Sequence, residues 1–256
     1  MSQTPGNKHA EVARYSAQYS QDFVERWDAL IDWEKRKAGE DGFFERLLER
    51  HAVKSVLDVS TGSGFHAVQL KQAGFKVVAT DGSGTMLKKA RQNFLERELD
   101  IESHQMEWLD LDPDVLGTFD AVVCLGSSLC HVFEAHDRMS VLRKFRALLN
   151  PGGVLIVDQR NFFAIRAGNF KSSGNYYYCG ASASVSLGRV DAQVCEFIYD
   201  FADKQRYSLK VYPLLPAELA TEIQASGFFA HEDYGDFQRD FDRMNCDFVI
   251  HTARAV

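Results

Sequence analysis

Two carboxylates and two glycines have the residue types and the spacing of a nucleotide-binding site. Asp58 ends an apolar stretch, and Gly62 and Gly64 follow it. Asp81 ends the next apolar stretch, which is the usual place for a carboxylate that binds ribose hydroxyls. The glycines allow a tight turn and let a nucleotide approach the backbone. Asp58 could instead be a capping or turn residue, but a buried carboxylate without a partner would be costly, which favours a ligand-binding role.

A second group of polar residues follows two later apolar strands and could hold an acceptor molecule. Ser127, Ser128 and His131 come directly after one strand, and Arg160 lies just past another. A guanidinium there could bind a carboxylate through two parallel hydrogen bonds. The residues alone leave open whether Arg160 binds a ligand or forms a structural ion pair with Asp158 or another acid. His131 could relay a proton, but a histidine on a polar turn is more often structural, and we favour that interpretation.

The elements that must position these residues alternate between strands and helices from Lys54 onward, which is typical of a parallel sheet. We predict an α/β fold, with a Rossmann-like sheet and helices on both of its faces. The predicted strands are 55–59, 76–80, 101–108, 121–125, 154–157, 229–233 and 248–253. The predicted helices are 64–73, 84–96, 135–149 and 213–227. A turn at 150–153 is expected to close the third of these helices.

The flanking segments predict an arm, two helices and an insertion. Residues 1–20 predict a mobile arm; its tyrosines are most simply surface residues, and they could also belong to a lid over a pocket. Amphipathic spacing predicts helices over 21–37 and 43–51. Residues 162–212 are rich in aromatic and β-branched residues and predict an antiparallel insertion of three or four strands over the carboxyl edge of the sheet. We therefore expect one domain over 21–256, preceded by the arm.

Composition limits the classes of protein and partner. The 256-residue chain is 45% hydrophobic and 25% charged, which suits one elaborated domain with an ordinary core. Its formal net charge of −7 argues against a nucleic-acid partner, which would favour a basic surface. The five cysteines are scattered, and no run approaches the ~20 apolar residues of a membrane span. Because the first residues also lack an apolar signal segment, we expect a soluble cytoplasmic protein without a membrane partner.

Two stretches resemble the motifs of S-adenosylmethionine (SAM) methyltransferases. Leu-Asp-Val-Ser-Thr-Gly-Ser-Gly at 57–64 is similar to their first motif, and Asp-Gly-Ser-Gly-Thr-Met-Leu at 81–87 is similar to their second. The resemblance implies a class I methyltransferase fold with SAM as the cofactor. It implies that Asp58 contacts the methionine ammonium, Asp81 the ribose hydroxyls and Met86 the adenine. Further SAM-contacting residues that it implies are Ser60, Gly62, Gly64, Gly82 and Leu125.

Later stretches resemble glycine N-methyltransferase and the related glycine/sarcosine N-methyltransferases from about residue 19 to the end. They are Cys-Leu-Gly-x-Ser-x-x-His at 124–131, Asp-x-Arg-Asn at 158–161, Asn-Tyr-Tyr-Tyr at 175–178 and Tyr-Pro at 212–213. The resemblance implies methyl transfer from SAM to glycine and sarcosine, with Arg160 binding the substrate carboxylate. It implies the following other roles: Tyr178 and Tyr212 line the pocket, Ser127, Ser128 and His131 form the acceptor turn, Tyr19 belongs to the lid, Arg36 meets the SAM carboxylate, and Glu107 and Trp108 lie near adenine.

Departures from the animal glycine enzymes favour the microbial glycine/sarcosine type, which makes dimethylglycine on the way to the osmolyte betaine. Ser127 and Glu107 replace asparagines, and Ser60 begins a pair that replaces Ala-Cys. The short arm argues against an arm-mediated tetramer, so we expect a monomer or a small homo-oligomer. In-line methyl transfer requires no metal and no covalent nucleophile. Methylation of another small carboxylate-bearing acceptor, or SAM binding without catalysis, are the alternatives.

Overall fold

The computed structural model describes residues 17–170 and 183–256. Its helices are α1 (Gln21–Glu25), α2 (Trp27–Ile31), α3 (Trp33–Glu40), α4 (Phe43–Arg50), α5 (Phe65–Gln72), α6 (Gly84–Glu96), α7 (Pro113–Leu116), α8 (Ala135–Ala147), α9 (Phe162–Arg166) and α10 (Pro216–Ala225). Its strands are β1 (Ser55–Asp58), β2 (Lys76–Asp81), β3 (Glu102–Gln105), β4 (Phe119–Cys124), β5 (Leu149–Arg160), β6 (Ala183–Val190), β7 (Cys195–Phe201), β8 (Arg206–Val211), β9 (Phe228–Gly235) and β10 (Phe248–Ala255). Short 3₁₀ turns occupy Trp108–Asp110 and Ser128–His131.

Seven of the strands form one sheet in the order β3-β2-β1-β4-β5-β10-β9. The pairs from β3 to β5 are parallel, and β10 runs antiparallel to both of its neighbours. Strands β6, β7 and β8 form a separate antiparallel sheet. The predicted α/β class and the small antiparallel insertion are therefore confirmed, but the predicted start of the insertion at 162 is wrong, because Phe162–Arg166 forms the helix α9.

The central strands are apolar on both sides because helices cover both faces of the sheet. Leu57 and Val122 belong to one buried cluster, whereas their chain neighbours Val56 and Val123 belong to another. This division follows from the alternation of side chains along a strand, and it explains why the strands read as continuous apolar runs. No helix described in residues 17–170 and 183–256 has both the length and the apolar character that a bilayer crossing would need.

The single helix predicted over 21–37 is wrong, because the segment forms three short helices. The first break lies at Arg26, which follows α1 and precedes α2. The second lies at Asp32, whose φ of 49° is left-handed and whose side chain accepts a hydrogen bond from the Lys35 amide and so caps α3. An aspartate tolerates this conformation and is a good N-cap. The chain therefore turns twice while its apolar side chains still reach the core.

Two sheet boundaries also differ from the prediction. The expected turn at 150–153 is a bulge inside β5, since β4 pairs with this strand on both sides of it, through Phe119 with Leu149 and through Ala121 with Val154. Gly153 permits the bulge because a Cβ there would lie 2.8 Å from the Asn150 carbonyl oxygen. The strand predicted over 101–108 stops at Gln105.

The three-stranded sheet covers the carboxyl edge of the larger sheet, as predicted. The amide of Tyr212, just past β8, donates to the carbonyl of Cys130 in the 3₁₀ turn after β4 at 2.8 Å. Phe197 and Tyr199 of β7 join the same buried cluster as the central strands. This packing places the insertion beside the edge at which α/β proteins bind ligands.

Candidate active site

A cleft lies at the carboxyl ends of β1, β2 and β4. Predicted site residues that line it are Tyr19, Arg36, Ser60, Gly62, Asp81, Met86, Leu125 and Ser128. Residues that line it without having been assigned a site role are Trp27, Ile31, Thr61, Ser63, Phe65, His66 and Gly126. The cleft therefore brings together most of the predicted cofactor residues, and helices α2, α3 and α5 complete its wall.

Asp81 joins the turn after β1 to the turn after β2 at the floor of the cleft. One of its carboxylate oxygens accepts a hydrogen bond from the Gly62 amide at 2.8 Å, and the other accepts from the Ser83 amide at 2.8 Å. Gly64 has a φ of 93°, and a Cβ there would lie 2.5 Å from the Phe94 ring. The glycine is therefore needed both for the turn and for the close approach of α6.

Asp58 is a buried carboxylate with an unused acceptor atom. Its Oδ1 accepts a hydrogen bond from the Ser60 amide at 3.2 Å, whereas Oδ2 has no hydrogen-bond partner among the described residues. Burial raises the pKa of Asp58 to about 6. A buried acceptor of this kind fits a cationic ligand group such as an ammonium, which would both pair with the charge and fill the missing hydrogen bond.

Arg36 is also buried, although the neighbouring Lys37 is exposed. Its Nε donates to the Glu40 carboxylate at 2.8 Å, and its guanidinium lies 4.8 Å from the centre of the Phe65 ring. The same Glu40 oxygen lies 3.1 Å from Nε2 of His66. Arg36 thus presents a cation to the cleft from a fixed position, which fits a ligand carboxylate.

The residues predicted to lie near adenine are placed differently from one another. Met86 is buried in the first turn of α6 and lines the cleft. Glu107 lies against Gly82, where a Cβ would be 2.8 Å from the carboxylate oxygens, and the pKa of Glu107 is raised by burial and by Asp81. The Trp108 indole donates to the Val59 carbonyl at 2.6 Å and packs against the buried core, and it is not one of the residues that line the cleft. Its contact with adenine remains a prediction.

Ser60 connects the ends of β1 and β4. Its hydroxyl accepts from the Leu125 amide at 3.0 Å and donates to the Leu125 carbonyl at 3.1 Å. The Ser128 hydroxyl donates to the same carbonyl at 2.8 Å. These bonds hold the start of the acceptor turn against the turn that contains Gly62 and Gly64. The residues predicted for the cofactor and those predicted for the acceptor therefore meet at Leu125.

The acceptor turn is fixed to the end of β5 through Ser127. Its φ is 59°, its amide donates to Asp158 at 2.7 Å, and its hydroxyl accepts from the Arg160 amide at 2.8 Å. At the other end of the turn, Nε2 of His131 lies 2.9 Å from the Tyr19 hydroxyl. Burial lowers the pKa of His131 to about 4, so its ring is neutral at pH 7.

The Arg160 side chain lies among aromatic rings. Its guanidinium carbon is 4.9 Å from the Phe248 ring centre, 5.3 Å from that of Phe197 and 5.4 Å from that of Phe170. Cations are attracted to such ring faces, and apolar surroundings strengthen the attraction to an incoming carboxylate. Ser127 binds the backbone of Arg160, and its neighbours Gly126 and Ser128 line the cleft, so the main chain of Arg160 lies next to the acceptor turn.

Tyr212 is held by a buried ion-pair network. Its hydroxyl donates to Glu218 at 3.0 Å, and its ring centre lies 4.5 Å from the guanidinium carbon of Arg138. Arg138 is 1% exposed and pairs with both Glu218 and Glu222. Tyr178 and residues 1–16 of the predicted arm lie outside the described residues.

Known proteins match this chain in sequence along nearly its whole length. A methyltransferase domain model matches residues 56–153. The glycine/sarcosine N-methyltransferase of Halorhodospira halochloris is 40% identical over 96% of this chain and 92% of its own length. The enzyme of the same name from Aphanothece halophytica is 38% identical, with 94% and 91% covered. The glycine N-methyltransferase of Homo sapiens is 32% identical over 83% of each chain.

Solved structures agree on the fold. A SAM-dependent methyltransferase from Clostridium acetobutylicum matches with a TM-score of 0.70 at 15% identity, covering 91% of this chain and 97% of that one. A SAM-bound amino pentose methyltransferase from Micromonospora echinaspora matches with a TM-score of 0.56 at 16% identity, covering all of both. These proteins share the class I methyltransferase sheet, and the cleft described above lies at its ligand-binding edge. With about 40% identity to named relatives over almost all of its residues, this SAM-dependent enzyme belongs to the glycine/sarcosine N-methyltransferase family.

Proposed function

We propose that this protein transfers methyl groups from SAM to the amines of glycine and sarcosine, producing sarcosine and dimethylglycine. The observation that carries the proposal is the setting of Arg160, a buried residue whose guanidinium lies near three described aromatic rings and whose backbone is bonded to the acceptor turn. An acceptor with a carboxylate suits such a site, since a guanidinium can fix that end of the molecule through two parallel hydrogen bonds. The relatives that match the full chain carry the name of this activity.

The cofactor supplies a methyl group on a sulfonium, which an amine can displace directly. On the protein side, Asp58 binds the methionine ammonium and Arg36 the methionine carboxylate. Asp81 binds the ribose hydroxyls and Met86 packs on the adenine. The unused Oδ2 of Asp58 and the pocket-facing position of Arg36 support this assignment. Four contacts at separate parts of the cofactor would fix its orientation.

On the acceptor side, the chain binds, orients and excludes water. Arg160 holds the carboxylate, and the acceptor turn together with Tyr178 and Tyr212 encloses the amine, so that most of the acceleration comes from proximity and orientation. The amine must lose its proton before it attacks, so activity rises toward alkaline pH. The pKa of about 4 makes His131 a poor base near neutrality, which supports a structural role in which it holds the turn to Tyr19.

The products suggest a role in the synthesis of a methylated osmolyte. Dimethylglycine is one methylation away from betaine, and relatives from Halorhodospira halochloris and Aphanothece halophytica share the glycine/sarcosine name. We place the protein in the cytoplasm, as a monomer or a small homo-oligomer with no nucleic-acid or membrane partner. These placements rest on the chain's composition and charge.

A mass-resolved product assay tests the proposal. The pure protein is incubated with SAM and, in separate reactions, with glycine, sarcosine and dimethylglycine. We expect glycine and sarcosine to gain methyl groups and dimethylglycine to remain unchanged. If SAM binds but neither glycine nor sarcosine reacts, the acceptor assignment is wrong.

A further inference from the structure

Glu40 and His66 form a buried cluster with Arg36 that the proposed reaction does not otherwise use. Glu40 is 6% exposed and His66 is 8% exposed. Glu40 ends α3 one turn after Arg36, and His66 lies in the first turn of α5, so the cluster joins two helices that face the cleft. His66 itself lines the cleft. These residues therefore lie directly behind one wall of the cofactor site.

One oxygen of the Glu40 carboxylate contacts both Arg36 and His66. Oε1 lies 2.8 Å from Nε of Arg36 and 3.1 Å from Nε2 of His66. Nε2 of His66 lies nearer to this carboxylate than to the Arg36 guanidinium, and a carboxylate only accepts, so the shorter contact assigns the ring proton to Nε2. The 3.4 Å separation between Nε2 of His66 and the Arg36 guanidinium is then a contact between two donors. His66 thus supports the carboxylate, and the carboxylate supports the arginine.

The cluster fixes Arg36 from two directions. Glu40 binds its Nε on one edge, and the ring of Phe65 lies 4.8 Å from the guanidinium carbon. The neighbouring Arg36 and His66 lower the pKa of Glu40 against the effect of its burial, so it remains a carboxylate. An arginine side chain has many rotamers, and holding one of them in advance removes a cost that ligand binding would otherwise include.

We propose that Glu40 and His66 are positioning residues that hold Arg36 for the carboxylate of the cofactor's amino-acid end. The proposal rests on SAM as the methyl donor and not on the identity of the acceptor. Loss of the cluster should therefore weaken ligands that carry the amino-acid end and spare ligands that lack it.

Calorimetry with two ligands separates this role from general damage to the site. S-adenosylhomocysteine carries the amino-acid end, whereas methylthioadenosine keeps only the adenosine and the thioether. We expect Glu40→Gln to weaken S-adenosylhomocysteine about tenfold, since a charge-assisted hydrogen bond is lost, and to leave methylthioadenosine within about twofold. Equal losses for both ligands, or no loss for either, would overturn the proposal. No acceptor is present, so a failed glycine assay would not affect this result.

Three further variants keep the test decisive. Glu34→Gln makes the same change at an exposed position of the same helix and should affect neither ligand. If Glu40→Gln unfolds, His66→Leu should still show the selective loss and His66→Gln should restore it, because glutamine can donate from the same place. In an Arg36→Met background, Glu40→Gln should cost no further affinity, since its action runs through Arg36. A further loss there would assign Glu40 a different role.

Discussion

Two buried arginines, one proposed for each half of the site, differ in the groups described around them. Arg36, on the cofactor side, is fixed by the Glu40 carboxylate and by His66 behind it. Arg160, on the acceptor side, lies among the rings of three phenylalanines. Both are proposed to bind a carboxylate, and they differ in their described contacts: Arg36 has an ion pair and one aromatic ring, whereas Arg160 has three aromatic rings.

The difference matches what each half has to do. Hydrogen bonds fix the direction of a guanidinium, which suits a large cofactor that must bind in one orientation. Aromatic faces impose less direction but exclude water, which strengthens the attraction to a small anion and keeps water away from the reacting amine. We therefore expect the ion pair to fix the direction of the Arg36 guanidinium and the rings to limit water around that of Arg160.

The largest effect should come from Arg160→Lys, which tests the acceptor half alone. Lysine keeps the charge but loses the two parallel hydrogen bonds, so we expect kcat/KM for glycine to fall by about a hundredfold or more. Affinity for SAM, measured by calorimetry, should stay within about twofold. Arg166→Lys, at an exposed position of α9, is the matched control. If Arg160→Lys turned over glycine as fast as the wild type, the assignment of Arg160 to the substrate carboxylate would be wrong.

A smaller loss is expected for Asp81→Ala, which tests the cofactor half. The variant removes a ligand of the ribose and also the acceptor for the Gly62 and Ser83 amides, so SAM affinity should fall by about ten- to a hundredfold. Asp100→Ala makes the same substitution at an exposed position before β3. Unchanged affinity in Asp81→Ala by calorimetry would count against the cofactor site.

Asp58→Asn should change affinity and stability in opposite directions. The carboxylate form of Asp58 binds an ammonium, so the affinity of the wild type for S-adenosylhomocysteine should fall as the pH drops through about 6. At pH 8 the variant should bind this ligand about tenfold more weakly than the wild type, and its affinity should depend little on pH. A pH-independent wild-type affinity between pH 5 and pH 8 would contradict this assignment.

The stability of the ligand-free protein provides the second readout for Asp58→Asn. Folding raises the pKa of Asp58 from 3.8 to about 6, so the folded state binds the proton of this carboxyl group more tightly than the unfolded state does. The contribution of Asp58 to the free energy of unfolding is therefore lost as the pH rises from about 4 to 6. At about 1.4 kcal/mol per pKa unit, the charged form costs the fold roughly 3 kcal/mol above pH 6. Chemical denaturation at pH 8 should therefore find Asp58→Asn more stable than the wild type.

The smallest effect should come from His131→Gln, at the end of the acceptor turn. Glutamine can still form a hydrogen bond with the Tyr19 hydroxyl, so we expect a change of less than about threefold in kcat. The rise of activity toward alkaline pH should be the same in both proteins, since the amine of the substrate sets it. Loss of that rise in the variant would identify His131 as the proton acceptor.

The sequence was most informative where local rules decide the structure. Asp58 and Asp81 end β1 and β2 as expected, and α6 has the predicted bounds of 84–96. Glycine turns, strand ends and caps depend on a few adjacent residues, so their signals are readable in one sequence. The helix predicted over 21–37 failed because apolar spacing continues through the left-handed Asp32, which ends one helix and starts the next.

The parts that could not be predicted depend on contacts between distant segments. A run of basic residues around Arg36 is consistent with a solvated helix end, and an arginine four residues before a glutamate is a common surface pair. Only the packing of α3 on α5, which brings Glu40 to His66, shows that the pair is buried. The rings around Arg160 likewise come from residues 170, 197 and 248, so their meeting is a property of the tertiary fold.

Within the ranges that the structure describes, β6, β7 and β8 pair with one another and not with the strands of the larger sheet. Mutations in their loops or outward-facing positions therefore leave the hydrogen-bond ladder of the cofactor-binding sheet intact. Substitutions there can consequently change the wall that we propose for the acceptor site without breaking the sheet that carries the proposed methyl-donor site. The same separation gives protein engineers a natural place to graft a new substrate preference onto this enzyme.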